Sequence, residues 1–287
     1  MSEPRGVKAG PLRIVLCTCD GWYGAQVLAG LLASGRVQVT GVVRSARVLS
    51  PRFGFARGAL EQVRRSGLVY SAYLWCITQG ADMVSRIGRL SSVERLASAH
   101  EIPSLVTRNV NDAEGRAFVG QAAPHILVSA FFNQRVGEPV LALPTLASVN
   151  IHPSLLPAFR GVDPVFYTLL GGVRRFGVSL HQMTPEFDAG DLLAQDEVAV
   201  ADSASVFEIT ANLFRRGAEV LIEHLDRIES GTSGVMQRSG GNYDSWPTPT
   251  QVRKFRAQGH TLFRLSDAAR LLRGNSYRQA QSSLPSC

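Results

Sequence analysis

Short apolar runs alternate along the chain with stretches whose apolar residues recur every three to four positions, the periods of strands and of amphipathic helices. Leu12-Arg13-Ile14-Val15-Leu16-Cys17 is a β-prone run, and Ala25 to Ala33 places Val27, Leu28, Leu31 and Leu32 at helical spacing. Val37 to Val43 reads as the next strand. The pattern continues with a helix over Ser92 to Ala99, a short strand over Ile102 to Val106 and a helix over Asp112 to Ala122. A buried strand over His125 to Ser129 follows, then an apolar run, Leu146 to Val149, that ends at Asn150. Beyond it the sequence predicts a helix over Pro164 to Gly171 and strands over Gly177 to Met183 and Leu192 to Val200. A long helix over Ser205 to Ile228 carries Val206, Ile209, Leu213, Val220, Leu221 and Leu225 on one face.

Strands separated by helices, beginning with a strand, a helix and a strand, predict an α/β fold: a Rossmann-like, doubly wound, mostly parallel sheet with helices on both faces. Residues 1–10 are polar and expected to be a disordered N-terminus. Residues 11–230 form the expected main domain, with a helical insertion at about 51–90, and residues 231–287 a short C-terminal extension. The insertion is rich in arginine and aromatics and reads as two short amphipathic helices, packed on a sheet edge or serving as a lid. The extension begins at a Ser-Gly break and carries Trp246-Pro247-Thr248-Pro249 and a basic helical stretch from Gln251, too poorly alternating for an added barrel.

With 45% hydrophobic and 18% charged residues the chain can bury a sizeable core. Its net charge of +7 is carried almost wholly by arginine, since Lys8 and Lys254 are the lysines. Arginine suits an anionic cofactor or substrate, but a biased soluble surface gives the same composition. The four cysteines do not make a disulfide scaffold or a zinc site, and Cys17 and Cys19 read as buried thiols. No stretch has the length of a signal peptide or a membrane span, so a cytoplasmic protein with no membrane partner is expected.

The densest chemistry is Asn150-Ile151-His152-Pro153-Ser154-Leu155-Leu156-Pro157. Alternation along a strand sends Asn150 and His152 to the same side, at a strand end, where open α/β sheets keep their ligands. Asp188, in Phe187-Asp188-Ala189-Gly190-Asp191, is the third candidate. No serine or cysteine completes a hydrolytic triad, since Ser154 lacks the nucleophile elbow, and no metal site is expected. A carboxamide and an imidazole can stabilise the oxyanion of a carbonyl under attack by an amine, and a carboxylate can orient the imidazole or take a proton. A structural, merely hydrogen-bonded histidine is the competing reading. The first turn, Asp20-Gly21-Trp22-Tyr23-Gly24, lacks G-x-G-x-x-G and Arg44 closes the second strand, which disfavours a dinucleotide. Gly21, Trp22 and Tyr23, with Arg160, are candidate substrate contacts; a connecting turn with the two aromatics packed nearby is the alternative.

The octapeptide, followed by Arg160-Gly161 and Asp188-Ala189-Gly190, resembles the signature of the formyltransferases that use 10-formyltetrahydrofolate. The resemblance spans about residues 11–230 and is strongest over 125–195. It implies that Asn150 and His152 polarise the formyl group while Asp188 holds His152 and assists proton removal. It also implies a folate site at Ser129, Phe131, Phe132, Gln134 and Arg135, closed by the loop carrying Glu186 and Phe187. The expected activity is transfer of the formyl group to a small-molecule amine or hydroxylamine. The alternatives are a methionyl-tRNA formyltransferase-like enzyme lacking the usual C-terminal domain, a formyltetrahydrofolate hydrolase, or a catalytically silent binding protein. A small-molecule acceptor is the expected partner, tRNA is the nucleic-acid alternative, and a homodimer is left open.

Overall fold

The computed structural model describes residues 10–80, 92–238, 241–264 and 266–267. In chain order the elements are β1 (Leu12–Cys19), α1 (Trp22–Ala33), β2 (Val37–Ser45), α2 (Phe55–Ile77), α3 (Val93–Ala99), β3 (Ser104–Thr107), α4 (Ala113–Gln121), β4 (Ile126–Ala130), α5 (Glu138–Leu141) and β5 (Ala147–His152). There follow β6 (Arg160–Gly161), α6 (Pro164–Leu170), β7 (Phe176–Gln182), β8 (Leu192–Val198), α7 (Val206–Glu223), α8 (Leu225–Glu229), β9 (Tyr243–Asp244) and α9 (Pro249–Ala257). The main sheet has the order β3-β2-β1-β4-β5-β7-β8. Its first five strands are parallel, and β7 and β8 add antiparallel to β5. The expected Rossmann-like, mostly parallel sheet is what forms.

Alternation along the strands feeds a core on each face. Ile14, Leu16, Ile126, Val128, Val149 and Ile151 belong to the larger core, which includes buried residues of α1 and α7. Val15, Cys17, Val43 and Leu127 point the other way, into a smaller core with Val119 of α4 and Val140 of α5. Burial pushes both the Cys17 and the Cys19 thiol up to about 12, so they are inert packing groups, as the sequence suggests. Helix starts follow side-chain caps: Asp112, Asp163 and Ser205 each accept a backbone N–H from three residues on.

Several boundaries differ from expectation for identifiable reasons. Helix α1 begins at Trp22, not Ala25, because Gly21 completes the turn with φ 127°. Strand β5 continues through His152, since β7 supplies it with a pairing partner. The long helix divides at His224, whose ring bonds back to the Val220 carbonyl. The expected pair of insertion helices does form, as the two halves of α2, which are separated by the non-helical Gly67 (φ 79°, ψ 166°). It does not sit on a sheet edge. The Trp22 indole donates to the Cys76 carbonyl, the Tyr23 and Tyr73 hydroxyls meet at 2.7 Å, and Tyr70 donates to Asp163 at 2.7 Å. Residues 1–9, 81–90 of the insertion and 268–287 of the extension lie outside the described residues.

The extension packs into the same body. Phe255 of α9 is buried and stacks on Phe166 at 4.6 Å, and Asp267 accepts a hydrogen bond from the Ser205 hydroxyl. Among the described residues no helix is long and apolar enough to cross a membrane.

Helix α7 lies directly on β5. A Cβ at Gly217 would sit 2.3 Å from Ile151 Cγ2 and 3.0 Å from Val178 Cγ2. Glycine to alanine inside a helix ordinarily stabilises by roughly 0.5–1 kcal/mol. Overpacking costs about 1–3 kcal/mol. Gly217→Ala should therefore lower the urea midpoint of unfolding, whereas an unchanged or higher midpoint would show that the helix is not seated on Ile151 as described.

Candidate active site

The antiparallel pairing of β5 with β7 sets Asn150 opposite His181 and His152 opposite Ser179. Cross-strand partners share a face, so these four polar groups form one block, while Ile151 and Leu180 between them face the core. Ser179 organises the exit of β5. Its hydroxyl donates to the Ser154 carbonyl at 2.6 Å and accepts from the Leu156 N–H at 3.0 Å and from Gln195 at 2.8 Å. Ser154 itself donates to the Ala158 carbonyl, which leaves it a structural residue of the turn.

The two histidines are held differently. His181 Nδ1 lies 2.8 Å from the Gln182 carbonyl, which can only accept, so Nδ1 carries the proton. Its Nε2 then accepts from the Asn150 carboxamide at 3.0 Å. Burial, and next the neighbouring His152, lower the His181 pKa to about 4, against the opposing pull of Asp188 and of Gln182. His152 is also buried, with Nε2 3.1 Å from the Phe159 carbonyl and Nδ1 3.4 Å from Asp188 Oδ1.

Asp188 lies between the two rings, with Oδ1 3.8 Å from His181 Nε2 and Oδ2 accepting the Gly161 N–H at 3.0 Å. Its φ of 53° is left-handed, which aspartate tolerates better than most residues. Gly190 lets the loop fold back onto β7, for a Cβ there would lie 2.0 Å from the Gln182 carbonyl oxygen.

Asn150, His152 and Asp188 are thus brought together. The remaining candidates divide. Arg135, Glu186 and Phe187 are exposed, and the Arg135 guanidinium lies over the Phe187 ring at 5.3 Å. Ser129 is buried in β4. Phe131 and Phe132 are half-buried on opposite faces of the sheet, Phe131 edge-on to Tyr23 at 4.9 Å. The Gln134 side chain is consumed by the scaffold, accepting from Val110 and donating to Ser45 and the Thr107 carbonyl. It offers a ligand little.

The first turn is closed rather than open to a substrate. A Cβ at Gly21 would lie 2.1 Å from the Ile77 carbonyl oxygen, so the end of α2 fills the space above it. Trp22 and Tyr23 are buried, packed edge-on and tilted against Phe207. Packing is the reading the structure supports for both aromatics. Arg160 does reach the site region, donating to the Gly241 carbonyl at 3.3 Å. Arg44, which replaces the acidic residue of a dinucleotide site, is paired with Asp20 at 3.3 Å.

His181 and Ser179 are not among the residues that the sequence singles out, and it gives the extension no place at the site. The signal for the first two is a pair of polar residues two apart in the otherwise apolar strand Phe176–Gln182, both buried. The extension enters through β9, which pairs with β6, and through Gln237, which bonds the Asp188 loop. Tyr243 of β9 lies 6.4 Å from the Phe187 ring and is half exposed. Nothing in the spacing of 231–287 signals these contacts.

The formyl transferase family matches residues 44–225, which is more than half of the chain. The chain is 34% identical over 139 residues to the methionyl-tRNA formyltransferase of Thermotoga maritima, a match covering 48% of this chain and 44% of that protein. The methionyl-tRNA formyltransferase of Chloroflexus aurantiacus is 33% identical over 179 residues, 62% of this chain and 57% of its own. The chain therefore spans about half the length of these relatives. Among solved structures, glycinamide ribonucleotide transformylase 1 from Symbiobacterium toebii superposes with a TM-score of 0.53 at 17% identity, over 82% of this chain and 99% of that one. Family match, sheet order and fold likeness agree: the chain belongs to the formyl transferase family.

Proposed function

We propose that this chain transfers the formyl group of 10-formyltetrahydrofolate to the nitrogen of a small-molecule amine or hydroxylamine. The observation that carries the reading is the placement of the Asp188 carboxylate beside His152, on the face of β5 that also presents Asn150. Family membership supports formyl transfer, and the co-substrate follows from the chemistry of that family.

The attacking nitrogen forms a bond to the formyl carbon and the bond from that carbon to the folate nitrogen breaks. Negative charge gathers meanwhile on the formyl oxygen. A carboxamide nitrogen has two hydrogens, and Asn150 spends one on His181. The other is free for the oxyanion and is already aimed, because the His181 tautomer is fixed by Gln182. His152 donates to the same oxygen by exchanging its contact with the Phe159 carbonyl, and Asp188 on its other nitrogen keeps the ring oriented. Asp188 also takes the proton lost by the acceptor nitrogen and returns it to the departing folate nitrogen, so no net proton is gained or lost. Phe187 and Arg135 fit the co-substrate, one supplying a half-exposed ring for a flat heteroaromatic group, the other a cation for its carboxylates.

A second reading, formyl transfer to an aminoacyl-tRNA, is favoured by the identity with methionyl-tRNA formyltransferases. The test is turnover of 10-formyltetrahydrofolate by the purified chain without acceptor, with amino sugars and hydroxylamines, and with methionyl-tRNA. Amine-dependent turnover is expected. Turnover that needs no amine would identify a hydrolase, and no turnover in any arm would overturn the reading. Asn150→Ala, His152→Ala and Asp188→Asn should each lower kcat/KM roughly 100-fold or more. A variant with near-normal turnover would remove that residue from the mechanism.

The burial of His181 also sets a pH dependence. Its ordinary value of 6.5 falls to about 4 in the fold, so between these limits the unfolded chain binds the extra proton and acid weakens the fold. Asp163 opposes this, since loss of hydration raises its carboxyl to about 6 and its stabilising contribution is lost as pH rises from 3.8 through 6. Comparison with a variant cancels Asp163. The stability of wild type relative to His181→Gln should fall as pH drops from about 6.5 towards 4, measured by denaturant unfolding. A difference constant over that window would mean that His181 is not held neutral.

A further inference from the structure

Asp188 is gripped from outside the segment that the family matches, which ends at residue 225. Val235 pairs with Leu192 through two backbone hydrogen bonds of 2.8 Å, which brings the following residues alongside the Asp188 loop. Gln237 then inserts its carboxamide. Nε2 donates to the Asp188 carbonyl at 3.0 Å and to the Gly190 carbonyl at 2.7 Å, using both of its hydrogens. Its Oε1 is buried and makes no hydrogen bond, so the group is held by its two donor contacts. Further along, the Asp244 carbonyl accepts the Val162 N–H at 2.9 Å, beside Gly161, whose own N–H holds the Asp188 carboxylate. Gly161 has φ 113°, and a Cβ there would lie 2.0 Å from the Asp244 oxygen, so the two backbones touch.

Both ends of Asp188 therefore depend on the C-terminal extension. Gln237 fixes its backbone in a left-handed conformation, and β9 fixes the β6 amide that holds its carboxylate. From this geometry we infer that Gln237 is a positioning residue for formyl transfer, setting the distance between Asp188 and His152. The inference rests on the proposed reaction. A side chain with two donors on one nitrogen is what two carbonyls two residues apart require. Glutamate has the same shape and no donor to offer, and its carboxylate would face both carbonyl oxygens.

The experiment compares wild type with Gln237→Glu and Gln237→Met, after circular dichroism and thermal melting have shown which variants fold. A loss of kcat on the order of tenfold to a hundredfold is expected, with KM for 10-formyltetrahydrofolate changed less than about threefold, because misplacement of a reacting group acts on the chemical step. The second arm repeats Gln237→Met in an Asp188→Asn background under single-turnover conditions. There it should cost nothing further, since a residue acting through Asp188 loses its effect when that carboxylate is gone. Multiplicative losses, or a wild-type kcat in both folded variants, would overturn the assignment. Absence of turnover in the wild type would instead bring down the formyl-transfer reading, and the inference with it.

Discussion

The site depends on the register of one strand pair. Strands β1 to β5 run parallel, and β7 reverses direction against β5. That reversal is what sets Asn150 and His152 directly across from His181 and Ser179. Side chains alternate along a strand, so a slip of one residue would turn Ile151 and Leu180 into the site and bury Asn150 in the core. The apolar face guards against the slip, because Ile151 and Val178 are locked under Gly217 of α7. Core packing on one face thus holds the chemistry in place on the other.

Within that frame two similar imidazoles flank one carboxylate, and geometry makes them unequal. The distances from Asp188 Oδ1, 3.4 and 3.8 Å, differ too little to do so. The tautomer does. The Gln182 carbonyl takes the His181 proton on Nδ1, so the nitrogen that His181 turns towards Asp188 and Asn150 carries a lone pair. A lone pair facing a carboxylate is not attractive, and the Asn150 amide fills it. His152 has the Phe159 carbonyl on one nitrogen and the carboxylate on the other, both acceptors, so whichever nitrogen carries its proton has a partner. One ring orients the amide, and in the proposed reaction the other exchanges a carbonyl for substrate.

Much of this was legible in the chain. Alternation and helical spacing predict the elements, and strand alternation alone puts Asn150 and His152 on one side. Asp188 was legible only because a D-x-G follows the octapeptide at a recognisable distance, for nothing in its local pattern announces a left-handed aspartate. His181 was missed because a buried histidine in an apolar strand looks like packing until its cross-strand partner is known. Trp22 and Tyr23 show the limit from the other side. Their position after the first strand is compatible with substrate contact or with packing in a connecting turn, and α2, arriving from 50 residues away, covers them, as the Tyr23–Tyr73 contact shows. Long-range contacts of this kind leave no periodicity.

The extension shows the same limit and gives it a use. Residues 44–225, the segment that the family matches, contain Asn150, His152, His181 and Asp188. Gln237 and Tyr243 lie beyond that segment, yet one bonds the Asp188 loop and the other stands half exposed beside Phe187. With the first turn sealed by the Ile77 carbonyl, exposed side chains near Asp188 include those of Arg135, Glu186, Phe187 and Tyr243. A rim built partly from residues outside the shared segment can change its shape without disturbing the histidines. On the proposed function, reaction and specificity are carried by different parts of the chain, which meet at the backbone of a single aspartate.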